Sequence, residues 1–66
     1  MPLNTQPNIA NPDAFYQRLV ELHHDRSEEQ SRLIDASLIL LLANHVGDAA
    51  VLEEAMQLAV RAAEAP

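Results

Sequence analysis

The chain has 66 residues, no cysteine, and ten acidic residues against four basic ones, for a formal charge of −6. That length allows one small domain, which by itself buries only about 60% of the surface its unfolded chain exposes. Without cysteine there are no disulfides and no thiolate metal sites to reinforce it, and the acidic balance opposes binding to nucleic-acid phosphates or anionic lipid.

Association is therefore the remaining route to stability, with a second copy or with another protein. The carboxylates are spread along the chain and form no dense row, so mimicry of nucleic acid is not expected. No stretch approaches the ~20 apolar residues of a membrane span. The first ten residues have neither the basic start nor the apolar run of a signal peptide. A cytoplasmic location is the expectation, in keeping with the missing cysteines.

Residues 1–11 read as an extended N-terminal arm and residues 12–66 as a single helical domain. Pro2 and Pro7 bias their preceding residues away from helix. Leu3 and Ile9 are the arm's sizeable side chains; either could dock on a groove, and a frayed terminus is the plainer alternative.

Asn11-Pro12-Asp13 is a helix start, with Asn as N-cap, Pro at the first helical position and an acid near the positive end of the dipole. The first helix is expected over 12–24. Phe15, Leu19 and Leu22 recur on one face beside Tyr16, Val20 and His23, while Gln17, Arg18, Glu21 and His24 take the other.

Asp25-Arg26 makes the turn. Ser27 followed by Gln30 reads as a capping box that opens a second helix over 28–46, and Gly47 supplies the left-handed residue that closes it. This helix contains Leu38-Ile39-Leu40-Leu41-Leu42-Ala43, which at 100° per residue is apolar all the way round. Such a helix needs neighbours on every side, so it should be the central one.

Asp48 caps a third helix over 49–64, with Glu53 and Glu54 toward its positive end and Arg61 toward its negative end. Val51, Leu52, Ala55, Met56, Leu58, Ala59, Ala62 and Ala63 make a broad apolar face, whose alanines permit close approach of another helix. No strand or hairpin pattern occurs. The expected fold is all-α: a small antiparallel bundle of three helices behind the arm, oligomeric.

Chemistry-bearing groups are few. His23 and His24 are adjacent on a helix and diverge by about 100°. His45 sits at the far end of the second helix, about 27 Å from Ser27. One copy should therefore form no metal site, and only a dimer could bring His45 of one chain to His23 of another. There is no cysteine, no lysine and no glycine-rich phosphate loop. The acidic pairs Glu28-Glu29 and Glu53-Glu54 are explained by helix dipoles. The chain is expected not to be an enzyme and to carry no cofactor. Met56 and the leucines read as packing residues, and Tyr16 as an edge residue or interface anchor.

Pro2-Leu3-Asn4, Pro7-Asn8-Ile9, Pro12-Asp13-Ala14-Phe15-Tyr16, Ser27-Glu28-Glu29-Gln30-Ser31 and the stretch from Leu40 to Asp48 together resemble a family of short proteobacterial proteins known as a domain of unknown function. The resemblance covers nearly the whole chain. Its most specific part is Leu42-Ala43-Asn44-His45-Val46-Gly47-Asp48, a polar insertion at the end of an apolar helix. It brings no catalytic motif. Because genes of that family neighbour flavin-dependent aromatic hydroxylases, it implies an accessory subunit of a larger enzyme.

Two functions follow as expectations. The first is a protein-interaction module, as a homodimer or as such a subunit. The second is a carrier of a small ligand or metal at a site formed only across a dimer. The interface is expected on the second helix, where Ile39, Leu42 and Val46 continue a stripe begun by Asp35 beside Arg32. The flanking helices can cover about two-thirds of the central one, leaving this stripe open. Leu41 lies opposite and is expected to be core. Asn44 and His45 complete the interface set as a recognition patch with Asp48; alternatively, Asn44 satisfies loose carbonyls at the helix end.

Overall fold

The computed structural model describes residues 2–65, so Met1 of the arm and Pro66 of the domain lie outside the described residues. Three helices follow the arm: α1 Pro12–Leu22, α2 Glu28–Val46 and α3 Ala49–Glu64. No strand occurs among the described residues. The chain is all-α.

Each helix start is held by a side chain within its own turn. Asn11 accepts a hydrogen bond from Ala14 N–H at 3.1 Å, with Pro12 at the first helical position. The Ser27 hydroxyl accepts from Gln30 N–H at 3.1 Å, and the Gln30 side chain accepts from Ser27 N–H at 3.0 Å. Two of the donors orphaned at the start of α2 are thereby satisfied reciprocally. Asp48 takes both Ala50 N–H and Val51 N–H, at 3.0 and 3.2 Å. The first turn of α3 carries no acid of its own, so Glu53 and Glu54 sit deeper in the helix than a dipole role would place them.

The helix ends are as local as the starts. At the end of α2, Gly47 adopts φ 71 and its N–H donates to Ala43 O at 2.9 Å. α1 stops at Leu22, two residues short of the expected His24. His23 and His24 N–H reach back three residues to Val20 O and Glu21 O, each at 3.1 Å. Asp25 then turns into the left-handed region at φ 56. Arg26 Nε donates to Leu22 O at 2.8 Å, placing a guanidinium on the negative end of α1.

Packing between helices is sparse. No two of the three lie in close backbone approach along their lengths, so a single copy is open. The radius of gyration is 13.6 Å, against about 11 Å for a compact domain of this length. Val51, 8% exposed, is the one buried residue among those described. Leu19, Leu22, Ile34, Leu38, Leu52 and Ala55 are half-buried.

The leucine run shows the consequence most directly. Leu38 is half-buried, but Ile39, Leu40 and Leu41 are 65–70% exposed. Leu41 is therefore not the core residue it was expected to be. Eleven residues give α1 about 16 Å of length against about 28 Å for the nineteen of α2, so α1 cannot shield the whole of its neighbour. Phe15, Tyr16 and Val20 on α1, and Met56 and Val60 on α3, are exposed as well.

Candidate functional site

A largely apolar groove lies between α2 and α3. Ile39, Leu42 and Val46 of α2 face it together with Leu52, Met56 and Ala59 of α3, and Ala43 and Ala55 complete its lining. Positions 39, 42 and 46 share one side of α2 because they recur at helical spacing. The two-residue connection Gly47-Asp48, capping one helix and starting the next, brings α3 to that side.

Of the five residues expected at the interface, three meet in this groove and two do not. Asn44 and His45 are exposed and line no part of it. The alternative role expected of Asn44, satisfying loose carbonyls at the helix end, is not seen. Its amide makes no side-chain hydrogen bond among the described residues, and the carbonyl of Ala43 is served by Gly47. Gly47 does this work unaided.

A second depression lies on another side of α2, lined by Leu22, Leu33, Ile34, Ser37, Leu38 and Leu41. The single open stripe expected on α2 does not include it. The signal was present in the sequence: Leu33, Ile34, Leu38 and Leu41 also recur at helical spacing. What could not be read was how little of that face α1 reaches. In the arm, Leu3 is half-buried while Ile9 stays exposed, so the two side chains expected to dock behave differently. Asn4 braces the arm locally by accepting from Gln6 N–H at 2.9 Å.

The polar groups do not converge. His23 Nε2 lies 3.0 Å from Asp35 Oδ1, and His24 Nε2 lies 3.3 Å from Asp25 Oδ2. His45 stands apart near the end of α2. Among the described residues no group of three His, Cys, Asp or Glu could hold a metal ion, and no polar or charged residue is buried. No described helix is long and apolar enough to cross a membrane. The lining of the groove between α2 and α3 is apolar throughout.

The chain matches the family described as "Protein of unknown function (DUF2783)" over residues 3–61. No curated protein matches it, and no solved structure does. The family match begins in the arm, runs through all of α1 and α2 and takes in most of α3. On that extent of agreement, the chain belongs to the DUF2783 family.

Proposed function

We propose that this chain is a small cytoplasmic helical protein-interaction module of a proteobacterial family, with no catalytic activity of its own. It works as a homodimer or as an accessory subunit of a larger, flavin-dependent enzyme. The observation that carries this reading is the apolar groove between α2 and α3, left open beside a leucine run whose side chains stand mostly in solvent. Contiguous apolar surface of this kind marks association sites in otherwise soluble folds. Nothing polar in the groove competes with that use.

Ile39→Glu tests the reading. It places a carboxylate in the groove without touching a cap, so helical content by circular dichroism should be retained. Association, measured by light scattering and by capture from the native cytoplasm, should be lost at a cost of several kcal/mol. Unchanged mass and unchanged capture in the variant would remove the groove from the interface.

A further inference from the structure

Apart from the groove, we infer that a second copy of this chain docks on the opposite side of α2, the two α2 helices antiparallel about a two-fold axis at Ser37. The first support is position. At about 100° per residue, Gln30, Leu33, Leu40, Leu41 and Asn44 all fall within about 60° of Ser37 round the helix. Asp35, which holds the end of α1, and Ile39, Leu42 and Val46, which face the groove with α3, lie about 140–180° away. The neighbouring helices therefore leave this stripe uncovered, and Leu33, Leu40 and Leu41 stand exposed on it. Leu22 of α1 lines its edge beside Leu33, Ser37 and Leu41.

The second support is self-complementarity. A two-fold interface needs a patch that matches itself when reversed. The stripe reads amide, leucine, serine, leucine, amide from either end: Gln30 and Asn44 stand seven residues from Ser37, and Leu33 and Leu41 four. Antiparallel pairing about Ser37 sets leucine level with leucine, and the small serine at the centre lets the backbones approach. The Gln30 side-chain oxygen is already held by Ser27 N–H. Its amide nitrogen gains an acceptor in Oδ1 of the partner's Asn44.

Charge points the same way. A chain of −6 resists meeting itself, yet no charged residue of α2 lies within about 60° of Ser37. Glu28 and Glu29 occupy the first turn of α2, and His45 the last. Parallel copies would crowd the glutamates of both chains at one end. Antiparallel copies keep the two acidic ends about 27 Å apart, each beside the end of the partner that carries its histidine.

The full chain has no cysteine, so each introduced thiol reports one contact. With oxidised glutathione, Ser37→Cys should convert largely to a disulfide-linked dimer. Leu33→Cys and Leu41→Cys should each stay unlinked alone, because reversal holds like positions about 12 Å apart, but should link when mixed. Leu40→Glu should raise the dissociation constant at least about tenfold in sedimentation equilibrium. Leu40 is exposed, so circular dichroism should report unchanged helix. Ser37→Cys unlinked in a chain that sediments as a dimer, or Leu33→Cys linking alone as readily as Ser37→Cys, would overturn the arrangement. A wild-type chain still monomeric at about 100 µM would overturn the second copy as occupant. Ile39 lies about 160° from Ser37, so Ile39→Glu addresses the groove and these thiols the stripe, and either proposal can fail alone.

Discussion

His23, the residue just after α1, holds its Nε2 atom 3.0 Å from Oδ1 of Asp35 on α2, and of the pairs of opposite ionisable groups among the described residues it alone links the end of one helix to another. The remaining pairs are local, such as Arg32 with Glu28 one turn away at 3.0 Å. The first helix is thus tethered to the second at one polar point, with Leu22 lining a depression beside Leu33, Ile34 and Leu38, while most of the leucine run is left uncovered.

Asp35→Ala should loosen that tether. The carboxylate is well exposed, so the loss should be modest, about 0.5 kcal/mol, and should shrink in high salt. Urea unfolding at one fixed protein concentration, with and without added salt, measures it.

Ser27→Ala removes one half of the capping box and leaves Gln30 N–H without its acceptor. A cost of about 1 kcal/mol is expected, felt mainly by α2. Hydrogen exchange should show the first turn of α2 fraying, with α3 protected as before. Equal loss of protection in α3 would mean that the helices are more strongly coupled than their sparse packing implies.

Gly47→Ala isolates backbone conformation from packing. An added Cβ would meet Asn44 O at 3.8 Å, an ordinary contact, so space is not the obstacle. The strain comes from φ 71, which alanine adopts at a cost of roughly 1 kcal/mol. A lowered melting temperature with unchanged helical content below the transition is the expected result.

The caps were legible because their chemistry is local. Asn11, Ser27, Gln30, Gly47 and Asp48 each act within a few residues, and the types that do this are few. The end of α1 was less legible, because Arg26 and the left-handed Asp25 close it by a route that composition does not announce. Ile39, Leu42 and Val46 could be placed on one side of α2 from their spacing alone. That Leu41 stands in solvent could not, since its exposure depends on how far α1 reaches. That Asn44 and His45 stand outside the groove could not be read from spacing, since side chains at a helix end can point into solvent without disturbing the packing.

Leu41→Glu and Val51→Asp should now part company. Leu41 is exposed, so a carboxylate there stays hydrated and the chain should keep its helices. Val51 is the buried residue at the start of α3, where an aspartate would lose its water with no partner. Circular dichroism should show native helicity for the first and a largely unfolded chain for the second. Equal behaviour would mean that the open faces of α2 are covered in the folded protein.

The two-residue connection between α2 and α3 has a kinetic consequence. Gly47 finishes one helix and Asp48 begins the next, so no slack chain remains to be immobilised when the groove is filled. Most of the ordering entropy is settled within each copy before encounter. Association should then behave as the meeting of preformed surfaces, at a rate set by collision and orientation and insensitive to how fast the chain folds.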